Sequence, residues 1–96
     1  MRLKLSREAQ ADLDAIRDYS IEQFDIPRAI AYLDAVERAF RRILTYPEIG
    51  LLHPALPPDI RSLSCEQHRI FYVIEGDGIL IVRILHKAMD AERWLD

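Results

Sequence analysis

Ninety-six residues limit the chain to one compact core, because a domain of this size buries only roughly 60 to 65% of its unfolded surface. Half of the residues are apolar and 30% are charged, a balance that excludes a disordered chain; no apolar run reaches the roughly 18 residues of a membrane span. The formal charge of −3 excludes general attraction to nucleic acid, so any contact with phosphate needs a local basic patch. In chain order, Arg2 to Ser6 alternates polar and apolar residues with Leu3 and Leu5 on one face, the period of a short strand. It begins directly after Met1 with no signal-peptide core, which predicts a cytoplasmic protein. Ser6 can cap a first helix whose stripe is Ala9, Leu13, Ile16, Ser20 and Phe24. Asp25-Ile26-Pro27 breaks that helix and starts another, since Asp caps well and Pro is tolerated in a first turn.

The second helix runs from Pro27 to about Tyr46. Its expected stripe is Ile30, Leu33, Val36 or Glu37, Phe40, Ile43 and Leu44, with Asp34–Arg38 and Glu37–Arg41 as i,i+4 ion pairs. Pro47 stops it. Gly50, Pro54, Pro57 and Pro58 predict a surface loop without regular structure up to Asp59. Ile60–Cys65, Arg69–Glu75 and Ile79–His86 are rich in β-branched and aromatic residues and predict an antiparallel meander, with a tight turn at Glu75-Gly76-Asp77-Gly78. The last run is apolar on both parities, Leu80, Val82 and Ile84 on one face and Ile79, Ile81 and Leu85 on the other, so it is expected inside the sheet. Ala88 to Leu95 can close the chain as a short helix. The predicted fold class is α+β: β-α-α-β-β-β in one domain over 1–96, a helical hairpin on one face of a mainly antiparallel twisted sheet, with a helical tail. Cys65 has no partner for a disulfide and no companion at metal-ligand spacing, and no motif calls for a metal or cofactor.

Particular residues in this order resemble the ParE branch of the ParE/RelE toxin superfamily, and the match runs over nearly the whole chain. Leu5-Ser6, Ala9, Asp12-Leu13, Ile16, Tyr19, Ala29, Tyr32-Leu33 and Pro47-Glu48-Ile49-Gly50 resemble the family's helical hairpin and the turn after it. Arg61-Ser62, His68, Phe71-Tyr72 and Arg83-Ile84-Leu85-His86 with Asp90 resemble its strand signature. Glu66-Gln67 departs from it, because many relatives carry a glycine there; the turn type between those strands is therefore open. The resemblance implies a toxin that acts by binding DNA gyrase and arresting growth, with no reaction of its own. It also implies a cognate antitoxin, whose disordered segment folds over the toxin in a hetero-oligomer. The surfaces available to it are the hairpin from Ser6 to Tyr46 and the exposed sheet edge. No membrane partner and no sequence-specific nucleic-acid binding are expected.

The superfamily's RelE-like branch cleaves mRNA on the ribosome, a reaction that needs a base, an acid and cations. If this chain were such a ribonuclease, His86, Arg69 and Lys87 would be its catalytic residues. The cleaving branch, however, has a Tyr-Arg pair on the third strand, a Lys-Arg pair after the last strand and a tyrosine in the tail; here those places look like His68-Arg69, Lys87-Ala88 and Trp94, so only Arg69 and Lys87 survive the comparison. An indole N–H neither takes up nor gives a proton near neutral pH. A degenerate toxin that only binds antitoxin is a third reading. The candidates for target binding are Arg61, Arg83, His86 and Lys87. Each has a plainer role: Arg61 and Arg69 as solvated strand residues, Arg83 paired with Asp90 or Glu92 of the tail, His86 as a hydrogen-bonded strand-end histidine. The acid row Asp14, Asp18 and Glu22 reads as a solvated face, and Tyr72 as core.

Overall fold

The computed structural model describes residues 1–95; Asp96, the last residue of the expected domain, lies outside the described residues. In chain order the elements are β1 (Arg2–Leu5), α1 (Arg7–Gln23), α2 (Ile26–Thr45), a 3-10 turn (Pro47–Ile49), β2 (Leu51–Leu52), β3 (Arg61–Cys65), β4 (His68–Glu75), β5 (Gly78–His86) and α3 (Ala91–Leu95). The sheet is five-stranded with order β1-β5-β4-β3-β2. Its β2 to β5 pairs are antiparallel, whereas β1 lies parallel to β5, with Leu5 opposite Ile81. This is the expected α+β architecture, and β5 is an interior strand.

Local chemistry sets the boundaries. The Ser6 hydroxyl accepts from the Ala9 N–H at 3.0 Å, capping α1, and donates to the Val82 carbonyl of β5 at 2.7 Å. The Asp25 carboxylate accepts from the Arg28 N–H at 2.8 Å, with Pro27 in the first turn of α2. The turn from β3 to β4 holds Glu66 at φ +54, a left-handed conformation that glycine adopts at no steric cost. Gly76 takes the same conformation in the turn from β4 to β5.

The face under α1 and α2 buries Ala9, Ile16, Val36, Ala39, Ile43, Ile70, Tyr72, Ile79, Ile81 and Ile84. On the opposite face Leu56, Ile60, Phe71, Leu85 and Leu95 form a second cluster, so the 47–59 segment and α3 cover the side that the hairpin leaves open. That segment is more regular than expected. It holds the 3-10 turn and β2, and Arg61 donates to the Gly50 carbonyl at 3.0 Å and to the Glu48 carbonyl at 3.3 Å.

Two stripe assignments need correction. In α2 the buried seam is Ala29, Val36, Ala39 and Ile43, and Ile30 is exposed; alanines let the helix approach the sheet closely, so Phe40 and Leu44 pack against the same core from its flank, half-buried. Phe24 is also exposed, since it terminates α1 instead of continuing its stripe. In β5 the expected alternation holds up to Val82 and then inverts, so Ile84 joins Ile79 and Ile81 beneath the helices. Phe71 pairs with Arg83 and Tyr72 with Ile81, which leaves Val82 as an extra residue, a bulge that flips the parity of everything after it.

Candidate functional site

β1 ends opposite Ile81, so beyond that point the outer edge of β5 has no strand partner. Asp12, on the inner face of α1 between Ala9 and Ile16, fills the gap. Its carboxylate accepts from the Ile84 N–H at 2.9 Å and from Arg83 Nε and Nη2 at 2.8 Å each. The side chains of Arg83 and Asp12 are only 17% and 14% exposed. The hydrogen bonds that Arg83 donates to Asp12 raise the guanidinium pKa further, against the opposing effect of burial. The Trp94 ring lies 5.6 Å from the guanidinium and ties α3 to the same pair. The partner of Arg83 is therefore Asp12, not the expected Asp90 or Glu92: Asp90 is engaged locally, accepting from the Glu92 N–H at 3.1 Å.

Next to this pair lies a groove of about 430 Å3 between α1, the start of α2 and the ends of β4 and β5. Ile16, Tyr19, Phe24, Ile84 and Met89 give it an apolar wall. Tyr19 and Phe24 are 60% and 57% exposed, large apolar surface that the fold itself leaves uncovered. The polar side is Asp12, Tyr32, His68 and His86. Tyr32 Oη accepts from the Gln67 N–H at 3.0 Å and lies 2.6 Å from His68 Nδ1; all groups are satisfied when the phenol donates to that nitrogen. His86 Nδ1 accepts from the Ala88 N–H at 3.0 Å, and the two imidazoles meet edge to face at 5.3 Å. Each neutral histidine thus spends its lone pair inside the protein and carries its proton on Nε2.

Burial pushes the His68 pKa below its ordinary value near 6.5, His86 lowers it further, and Asp12 acts the other way. A histidine with a depressed folded pKa leaves the unfolded chain to take up the proton first. Its contribution to stability is full above about pH 6.5, is lost as pH falls towards the lowered folded value, and is constant below that. The melting temperature is expected to drop between pH 7 and pH 5, with the drop smaller in His68→Gln. Equal pH profiles for the two proteins by circular dichroism would remove this assignment.

The sequence candidates do not converge on one point. His86 and Arg83 flank the groove, whereas Arg61 is tied to the 47–59 segment and lies away from it. Arg69 sits on the opposite face with its guanidinium 5.6 Å from the Phe71 ring, so Arg69, His86 and Lys87 do not assemble as a catalytic trio around the groove. Asp12 and Tyr32 are the site residues that sequence reasoning missed. A carboxylate in the apolar stripe of a helix, as Asp12 is between Ala9 and Ile16, was the available signal.

These features define the class of fold, a small α+β domain with an exposed apolar groove beside a shielded ion pair. The family model for the ParE toxin of the type II toxin–antitoxin system parDE matches residues 3–91, and the chain belongs to this family. It is 36% identical over 95 residues to Toxin ParE1 of Mycobacterium tuberculosis, covering 98% of this chain and 97% of that one. It is 32% identical to Toxin ParE1 of Caulobacter vibrioides, covering 96% and 95%. Among solved structures, the chromosomal ParDE toxin–antitoxin system from P. aeruginosa aligns with a TM-score of 0.77 at 27% identity, over 90% of this chain and 95% of that one.

Proposed function

We propose that this chain is a toxin that acts by binding, with DNA gyrase as its target, and that a cognate antitoxin neutralises it by covering the same molecule. The observation that carries the reading is the groove: a wide apolar surface whose histidines both hold their basic nitrogens in internal hydrogen bonds. A surface of that kind suits an amphipathic segment of another protein. It is poorly equipped for RNA cleavage, which needs a base free to accept the 2′-hydroxyl proton. We place the toxin in the cytoplasm, where gyrase works; no helix among the described residues is long and apolar enough to cross a membrane.

The test is a supercoiling assay with purified gyrase, run beside ribosome-dependent mRNA cleavage, for wild type and His86→Gln. Supercoiling should be inhibited with mRNA intact. His86→Gln should remain within about threefold of wild type, because the amide keeps a hydrogen-bonding group while losing acid–base capacity. In cells, expression without antitoxin should cause filamentation with DNA-damage signalling. If His86→Gln folds and binds antitoxin but is no longer toxic, or loses about 10² to 10⁴ in mRNA cleavage, the enzymatic reading replaces this one.

A further inference from the structure

The C-terminal half of α2 carries a charged surface that the groove does not use. Arg38, Arg41 and Arg42 project beside the turn from β3 to β4 and line a shallow cleft of about 460 Å3 with Ser64, Cys65 and Glu66. The Lys87 N–H donates to the Gln67 carbonyl at 2.9 Å, which places Lys87 on the other flank of the same turn. The Cys65 thiol senses the cations on both flanks: burial and Glu66 push its pKa up, and Arg38 and Lys87 pull it down.

Most of this charge is unneutralised. Arg41 is held by Glu37 at 2.7 Å, but the expected Asp34–Arg38 pair does not form. Among the described residues Arg38, Arg42 and Lys87 make no ion pair, and all three are exposed. Arg38, Arg41, Arg42 and Lys87 face Glu37 and Glu66, a local surplus of cations on a chain whose net charge is −3. The counterpart is α1, where Asp14, Asp18 and Glu22 form the acidic row and Arg17 bridges the first two. The cations of the patch are carried mainly on a rigid helix. Arg38 and Arg42 are one turn apart, a rise of roughly 6 Å. Successive phosphates of one duplex strand advance about 3.4 Å along the axis while winding around it, so guanidinium groups set one helical turn apart can reach neighbouring phosphates instead of the same one. Guanidinium groups bind phosphate through paired N–H donors, and nothing in the patch reads bases.

We propose that this surface grips the phosphate backbone of duplex DNA without regard to sequence, so that the toxin holds both its protein target and the DNA passing through it. The second half of that statement rests on the gyrase reading above. Few phosphate contacts make weak binding in isolation, but a toxin already docked on an enzyme that carries DNA meets the duplex at a high effective concentration.

The experiment is fluorescence anisotropy of the full chain with a labelled duplex of about 20 base pairs, over roughly 20 to 200 mM salt. With about three phosphates neutralised, the log–log salt slope should be about −3. The R38Q/R42Q/K87Q variant should bring the slope close to zero and weaken binding at low salt at least about tenfold, while R17Q, on the acidic helix, should leave both unchanged. All substituted side chains are exposed, and circular dichroism checks the fold. A flat salt dependence in the wild type, or an unchanged slope in the triple variant, overturns the proposal. Loss of binding to the antitoxin's isolated C-terminal segment with DNA binding intact also overturns it, in favour of an acidic peptide as the occupant. A second arm measures binding to the gyrase subunits without DNA. If R38Q/R42Q, which spares Lys87, binds them like wild type but inhibits supercoiling at least about tenfold less, both halves stand; equal inhibition by R38Q/R42Q and wild type overturns the second half. If the wild type fails to bind gyrase at all, the gyrase reading falls while the salt slope still decides the phosphate surface.

Discussion

Asp12→Ala should unfold a large fraction of the protein at 37 °C, with a loss of about 3 to 5 kcal/mol in urea denaturation. The carboxylate is the common acceptor for three donors, two from the Arg83 guanidinium and one from the Ile84 backbone. Its removal leaves a cation that is 83% shielded from solvent without a counter-charge, at a strand edge that β1 does not reach. The penalty comes from stranding Arg83 rather than from losing an attractive pair. Arg83→Met/Asp12→Leu should therefore recover much of what Asp12→Ala loses, because both charges are then gone and apolar volume replaces them. A small domain has only about 5 to 15 kcal/mol in total, so the single change should also lower soluble yield in cells. If Asp12→Ala melts within about 1 kcal/mol of wild type, the pair is a solvated surface contact and Arg83 is free for other partners.

Tyr72→Ala should cost about 3 to 5 kcal/mol as a large core truncation, and Tyr72→Phe about 1 to 3 kcal/mol. The ring is fully buried beneath α2, and its hydroxyl donates to the Pro47 carbonyl at 2.6 Å while accepting from the Gly50 N–H at 2.8 Å. Phenylalanine keeps the packing but orphans both backbone groups where α2 gives way to the 3-10 turn. Gly50 belongs to the same arrangement, since a Cβ there would sit 2.6 Å from the phenol oxygen. Gly50→Ala should stay destabilising even beside Tyr72→Phe, because ring carbons Cε1 and Cζ would still stand 2.7 and 2.9 Å from the new Cβ; the pair should nonetheless be non-additive, the double variant losing less than the sum, because the bond from the Gly50 N–H to the phenol is lost once rather than twice. Strict additivity in a thermal double-mutant cycle would mean that the tyrosine hydroxyl does not organise this turn.

Several elements could be read from residue pattern alone because their signals are local. Ser6 and Asp25 cap the helices they precede, the breakers at Pro47 end α2, and Gly76-Asp77 turns the chain between β4 and β5. What escaped was set by neighbours distant in sequence. Val36 and Ile43 of the α2 seam follow from periodicity, but its other half, Ala29 and Ala39, is small, and volume-weighted periodicity passes over it in favour of Ile30. Alternation in β5 fails at Val82 because the pairing with β4 inserts a bulge there, and no residue in the strand announces it. Arg83 was recognised as a cation that needs a partner in an apolar run, yet the partner lies 71 residues away in α1. The site was partly legible for the same reason. His86 was visible at a strand end, but Tyr32 and His68 meet only when α2 docks on the turn from β3 to β4.

The parallel pairing of β1 with β5 also bears on how the molecule is born. Among the described residues the first strand finds its only sheet neighbour in the last one, and Ser6 waits for the carbonyl of a residue 76 positions further on. Pairings of such sequence separation make folding late and slow compared with local contacts. A ribosome adding roughly 5 to 20 residues each second must therefore finish almost the entire chain before the sheet can close. Until then Tyr19, Phe24 and the inner faces of both helices have no groove to line. Prematurely terminated products lacking β5 have no edge on which to seat β1, so a frameshift late in the gene should leave the sheet as unable to close as one near its start.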